Sequence, residues 1–298
     1  MQKYIDRIRG EYSIALPYYM KDIHDKRTLG VTIKKSIGKL KRFFTSRTIT
    51  AYKKSASVAL SKANIAKKEL LYYKVRGLWF KQKLQKSYAH LAIKPNLNKD
   101  YIYVALHYQP EKTTSPEGGI FVDQWLMVQM LAFFVPEGWL VYVKEHSAQF
   151  AERLYGEQGR THDFYERFDH LKNVRLVATE TSSFDLIDNA RAVATVTGTV
   201  GLESVIRFVP VLCFGHAWYA QCEGVFEIRN NNELHSALQK IKKGYQIDKK
   251  AVEYFLYAIE EISLQCYLNP GNKAGVSFDK EENLKNLIAC LVAYAEKE

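Results

Sequence analysis

The sequence predicts an α/β fold: a Rossmann-like parallel sheet with helices on both faces, preceded by a basic, mainly helical N-terminal segment. Three observations predict it. From residue 101 onward, short apolar runs of strand length alternate with helix-length stretches across short loops, the pattern of parallel strands joined by helical crossovers. One such unit, Ala194 to Gly215, reads as strand, small-residue turn, helix and strand, a βαβ unit in miniature. Charge is segregated: residues 1–98 carry 23 Lys/Arg against 5 Asp/Glu, and the remainder carry 20 against 27. A basic arm therefore precedes a mildly acidic globule, and the expected domains are 1–98 and 99–298.

At 298 residues with 47% apolar content, the chain can bury a sizeable core and is not disordered as a whole. Its four cysteines, Cys213, Cys222, Cys266 and Cys290, show no CxxC spacing, so core thiols of a reduced, cytoplasmic protein are expected rather than a zinc site or any other metal site. The N-terminus lacks the apolar stretch of a signal peptide, and no run approaches the ~18 apolar residues of a membrane span.

Residues 1–30 are mixed, broken by Pro17 and Gly30. Residues 31–91 lack proline and intersperse Lys/Arg with Phe43, Phe44, Leu70, Leu78, Trp79 and Phe80 at roughly helical spacing, which predicts two or three basic amphipathic helices. Two readings fit this arm: a segment lying on an anionic membrane surface, or a linker whose aromatic face packs on another domain. Turn residues between Ile93 and Asp100 mark a boundary. Strands are then expected at Tyr101–Leu106, Trp139–Lys144, Asn173–Val177, Ala192–Val196 and Val209–Phe214. Helices are expected at Phe121–Phe134, Ala148–Tyr155, Ser183–Asn189, after Gly201, and near 232–243, 249–266 and 281–297.

Ligands of open parallel sheets bind beyond the carboxyl ends of the strands. Polar groups follow all five expected ends: His107, Gln109 and Glu111; Lys144, Glu145 and His146; Thr179 to Ser183; Thr197 and Thr199; His216 and Tyr219. In the Thr197-Gly-Thr-Val-Gly201 turn, free N–H groups, a helix dipole and two hydroxyls suit a phosphate, and Gly198 and Gly201 keep the backbone open. Lys144 and His146 suit a diphosphate or phosphodiester, and Glu203 is placed to reach a ribose hydroxyl. The turn lacks both the Walker Lys-Ser/Thr pair and full GxGxxG spacing, which argues against an ATPase or a dinucleotide enzyme.

The run His107-Tyr-Gln-Pro-Glu111 is followed by Gly118-Gly119, Lys144-Glu145-His146, Ser182 to Ala190, Thr197 to Glu203 and Pro210 to Tyr219. In that order and spacing, these motifs resemble the capsule polysaccharide biosynthesis family of bacterial glycosyltransferases. The resemblance covers about residues 100–230. It implies a GT-B architecture, with residues 99–298 as the C-terminal, nucleotide-sugar-binding domain. The chain is then expected to transfer a sugar from a nucleotide donor, with a CMP-ulosonic acid such as CMP-Kdo favoured, to a glycan or lipid-linked acceptor. His146 is implied at the donor phosphate, with Thr197, Gly198, Thr199 and Gly201 forming the phosphate-binding helix start. Glu203 is implied at the nucleotide sugar, and His107, Gln109 and Glu111 toward the cleft, with His107 and Glu111 as candidate general bases. The donor is a substrate, and no cofactor is expected. The expected place of action is the cytoplasm at the inner face of the cell membrane. A non-catalytic homologue or subunit that binds nucleotide and docks to a membrane or partner is the alternative. A GT-B-type sugar epimerase and nucleic-acid binding through the arm rank lower.

Overall fold

The computed structural model describes residues 2–10, 67–111, 113–151, 154–263, 266 and 279–295. Its centre is a six-stranded sheet formed by β1 (Tyr101–Ala105), β2 (Leu140–Lys144), β3 (Val174–Leu176), β4 (Ala192–Thr195), β5 (Val211–Cys213) and β6 (Val225–Glu227). The spatial order is β3-β2-β1-β4-β5-β6, and every neighbouring pair is parallel. The chain thus builds outward from β1 in one direction, returns, and builds outward from β4 in the other. Crossovers leave opposite faces on either side of the β1/β4 junction, and a crevice opens there at the carboxyl ends.

Burial on both faces explains why β1, Tyr-Ile-Tyr-Val-Ala, carries apolar side chains without alternation. Ile102 and Val104 point into one core, together with Met127, Leu131 and Phe168. Tyr101 and Tyr103 point into the other, with Phe184, Leu186 and Val205. The Tyr101 hydroxyl donates to the Leu186 carbonyl at 2.8 Å, so its polar end is satisfied despite complete burial.

Two helices from the N-terminal part lie on this sheet. Helix α1 (Gln2–Arg9) buries Ile5 and Ile8 in the second core, and α2 (Lys67–Leu91) buries Leu84 and Tyr88 in the first. Just past α2, Ile93 forms a parallel bridge with Val177. Of the arm expected as helices over 31–91, residues 31–66 lie outside those described, and the rest is α2.

After β1, a 3-10 turn at Gly119–Val122 leads into α3 (Gln124–Phe134), whose first turn is capped by the Asp123 carboxylate accepting from the Trp125 N–H. The helix expected at 148–155 is instead a pair of 3-10 turns, Ser147–Phe150 and Gly156–Gln158. The cause is Gln149, which turns inward and donates to the carbonyls of Gly156 (2.6 Å) and Gln109 (3.0 Å), folding the chain back on itself. A short α4 (Glu166–Asp169) precedes β3, α5 (Ser183–Asp188) follows it, and α6 (Thr199–Ile206) joins β4 to β5. The last helices, α7 (Asn231–Lys242), α8 (Lys249–Ile262) and α9 (Lys280–Ala295), fall near their expected places. Strand β6 was not expected from the sequence, because three half-buried residues carry no usable periodicity.

Candidate functional site

The carboxyl ends of β1 to β4 enclose a cavity of about 600 Å³. Its walls include His107 and Glu111 after β1, Lys144 and His146 at the end of β2, Ser183 after β3, and Thr197 after β4. Gly198, Thr199 and Glu203 complete the wall at the start of α6. The βα turns place these groups because each strand ends where its ladder hydrogen bonds stop and the chain must reverse over the sheet rim.

His107 is the joint between β1 and β4. Its Nε2 accepts from the Thr197 N–H at 3.2 Å and lies 3.1 Å from Thr195 Oγ1. A backbone N–H can only donate, so Nε2 carries no proton in this arrangement and the proton sits on Nδ1. That N–H faces Glu111 Oε1 at 3.2 Å. Both ring nitrogens are therefore engaged within the protein. Burial pushes the Glu111 carboxyl up, but hydrogen bonds from His107 and Thr113, together with the nearby imidazoles of His107 and His146, outweigh it, and the net shift is downward. Glu111 is thus an ionised carboxylate held at the cavity edge.

Lys144 is 6% exposed, and its ammonium donates to the Thr181 carbonyl at 2.5 Å and Ser183 Oγ at 2.9 Å. Burial pulls its pKa down to about 8, only partly opposed by Glu180 and Asp185. His146 caps the following 3-10 turn, its Nδ1 accepting from the Ala148 N–H at 3.1 Å, which leaves Nε2 as the nitrogen bearing the proton in the neutral ring. Burial moves its pKa down, with Glu145 and Glu111 pulling the other way.

At the start of α6 the cap residue is Gly198, with no side-chain cap; the Gly201 N–H bonds back to the Gly198 carbonyl at 3.0 Å, while the N–H groups of Thr199 and Val200 have no carbonyl within the helix to bond. The Gly198 N–H is held by Thr195 Oγ1 at 3.2 Å. Two hydroxyls on the cavity wall, Thr197 Oγ1 and Ser147 Oγ, are buried without a hydrogen-bond partner among the described residues. Orphaned buried hydroxyls are uncommon in folded proteins. Here they sit in the same cavity as a buried lysine and a helix start.

Several expected site residues turn to other partners. Glu145 is on the cavity rim, but its 1% exposed carboxylate is turned inward, accepting from Arg160 at 2.9 and 3.1 Å and from the Tyr165 hydroxyl at 2.7 Å. Gln109 is bound to Gln149 through its backbone and to Thr114 through its side chain. Gly201 stands where a Cβ would strike Tyr219, and the fully buried Tyr219 hydroxyl donates to the Gly198 carbonyl, bracing the turn from behind. His216 lines a separate cavity of about 180 Å³ beside Gly118, Gly215 and Arg229.

Sequence reasoning missed Arg160. Its guanidinium, held between Glu145 and the His107 carbonyl (2.9 Å), ties the ends of β1 and β2 together. Glu145 also accepts from the His146 N–H at 2.8 Å. Burial opposes the charge on Arg160, but the Glu145 carboxylate more than compensates and its pKa is raised. Nothing in the local Gly159-Arg-Thr-His162 run signals this. Ser147 and Thr195 were missed as well, although both flank residues that the strand-end rule singles out.

A family model described as capsule polysaccharide biosynthesis protein matches residues 33–259. Among solved structures, the UDP-GlcNAc 2-epimerase from Methanocaldococcus jannaschii is 12% identical with a TM-score of 0.38, covering 60% of this chain and 49% of that one. Thermosulfurimonas dismutans KpsC, a beta Kdo 2,7 transferase, is 18% identical with a TM-score of 0.32, covering 57% and 55%. The beta Kdo 2,4 transferase of the same KpsC is 16% identical with a TM-score of 0.34, covering 58% and 56%. This chain thus spans about half the length of these structures. Comparison with curated proteins gives no match.

Proposed function

The chain belongs to the capsule polysaccharide biosynthesis family, and from that premise we propose that it is a glycosyltransferase taking its sugar from a nucleotide donor. One observation carries the reading: a helix start with no side-chain cap, a buried lysine, a histidine N–H and two hydroxyls without a partner among the described residues converge on one cavity at the sheet's switch point. Such a donor-rich, cation-bearing recess suits the phosphate of a nucleotide sugar.

In this reading the bond between the anomeric carbon and the phosphate oxygen breaks, and its electron pair leaves with the nucleotide. The growing negative charge is met by the N–H groups of Thr199 and Val200, the Thr197 hydroxyl, Lys144 and His146, all fixed before reaction. An acceptor hydroxyl attacks the anomeric carbon, and its proton passes to the Glu111 carboxylate. His107 is a positioning residue here, because its two nitrogens hold Glu111 on one side and the Thr197 turn on the other. A CMP-ulosonic acid as donor and a glycan or lipid-linked acceptor complete the proposal.

The test is nucleotide binding followed by transfer. Millimolar CMP or UDP should raise the melting temperature of the intact protein by a few degrees through preferential binding to the folded state. Thr197→Val and Lys144→Met should each remove most of that rise. Glu111→Gln should retain nucleotide binding while lowering transfer about 10²-fold or more. Absence of stabilisation by both nucleotides would remove the donor site from consideration.

A further inference from the structure

Helix α2 has two faces with opposite properties. One is anchored: Leu84 and Tyr88 are buried, and Lys81, 6% exposed, reaches the carbonyls of Ala151 (2.9 Å) and Leu154 and pairs with Glu157 at 3.1 Å. The Tyr88 hydroxyl accepts from the Glu145 N–H at 3.0 Å and donates to the Val177 carbonyl at 2.5 Å. This face is thereby fixed to the ends of β2 and β3 beside the cavity.

At 100° per residue, the opposite face gathers Tyr72, Val75, Arg76, Trp79, Lys83 and Lys86 into one stripe. All six are exposed. Trp79 is 64% and Tyr72 59% open to solvent, and Tyr73 flanks the stripe with its ring edge-on to Tyr72. The helix as a whole carries seven Lys/Arg against one Glu, so its charge is strongly positive. Among the described residues, no helix is long and apolar enough to cross a membrane.

We propose that this stripe is a docking surface for an anionic lipid bilayer. Trp and Tyr are the side chains that settle at the headgroup boundary, with an apolar ring body and a polar edge. Arg76, Lys83 and Lys86 beside them supply charge complementary to anionic headgroups. The long apolar stems of such cations lie along the interface while their heads remain in water. Because the other face of α2 is bonded to the rim of the cavity, a bilayer held by the stripe is held at a fixed position relative to the site.

The experiment is co-sedimentation of the full chain with vesicles of phosphatidylcholine alone, or with about 30% phosphatidylglycerol, at low and high salt. Binding is expected with the anionic vesicles at low salt, with strong weakening by salt and little binding to neutral vesicles. The triple variant R76Q/K83Q/K86Q should bind about a hundredfold more weakly, and Trp79→Ser with Tyr72→Ser should also release the protein. Since these side chains are exposed, melting temperature and nucleotide stabilisation should stay at the wild-type level in each variant. Undiminished vesicle binding by both variants overturns the proposal, as does equal binding to neutral vesicles. Retention of the wild-type protein by duplex DNA with none by anionic vesicles at the same salt also overturns it, in favour of a nucleic-acid surface.

Discussion

The backbone N–H of Thr197 donates to Nε2 of His107 across 3.2 Å, joining the turn that opens α6 to the end of β1, 90 positions earlier. The same nitrogen lies 3.1 Å from the Thr195 hydroxyl, whose oxygen in turn receives the Gly198 N–H. One imidazole thereby shapes the whole turn from Thr195 to Gly198. His107→Phe keeps the bulk but leaves the Thr197 N–H and the Thr195 O–H without an acceptor. A loss of about 2 kcal/mol is expected, measurable as a shifted urea midpoint with unchanged slope, together with weaker nucleotide binding.

Arg160 and Glu145 form a fully desolvated pair closed by Tyr165 and by the His107 carbonyl. Removing one partner leaves the other charge buried, so Arg160→Met should cost about 3–5 kcal/mol. Glu145→Gln should cost less, because the amide oxygen still accepts one bond. The double variant R160M/E145M should recover much of the loss, as buried pairs replaced together by apolar groups often do. Chemical denaturation of the wild type, Arg160→Met, Glu145→Met and the double variant forms the cycle that tests this coupling.

Lys144 predicts a pH dependence with a definite sign. Burial lowers its pKa to about 8 in the folded protein, against 10.5 for an ordinary lysine. Between these, the unfolded chain holds the proton more often than the folded one, so this group's contribution to stability rises with pH through that window. Anion binding runs the other way: an anion prefers the protonated lysine, and affinity should fall as pH climbs past about 8. Titrations of CMP or inorganic phosphate at a series of pH values should show this decline in the wild type and its loss in Lys144→Met.

Gly201 lies against the ring of Tyr219, and a methyl there would collide with both ring and hydroxyl. Gly201→Ala should therefore destabilise the protein by about 1–3 kcal/mol through overpacking. It should also weaken nucleotide binding, because Tyr219 can no longer hold the Gly198 carbonyl. Tyr219→Phe isolates the hydrogen bond and should cost about 1 kcal/mol. Melting curves with and without nucleotide separate the two effects.

Much of the sheet was legible because β1, β2, β4 and β5 are buried on both faces and therefore read as continuous apolar runs. Strand β6 and the turns around Gln149 were not legible, since three residues set no period and a single inward glutamine decides the path of the chain. Within the site, the strand ends and the turn that opens α6 pointed to His107, Glu111, Lys144, His146, Thr197, Gly198, Thr199 and Glu203, which share one cavity. The same two signals also pointed to Gln109, Glu145, Gly201, His216 and Tyr219, whose positions serve bracing, packing or a second cavity.

By itself the sequence determined the parallel α/β plan, the rim where polar groups gather and the small-residue turn that opens α6. Those follow from hydrophobic period, turn chemistry and charge, each a property of neighbours along the chain. Only the tertiary structure decided which polar groups face the cavity and which turn away. That choice depends on partners distant in sequence: Arg160 claims Glu145, Gln149 claims Gln109, and Tyr219 reaches Gly198 across 21 positions. A buried polar group goes where its hydrogen bonds can be met, and local sequence does not say where the matching group will arrive.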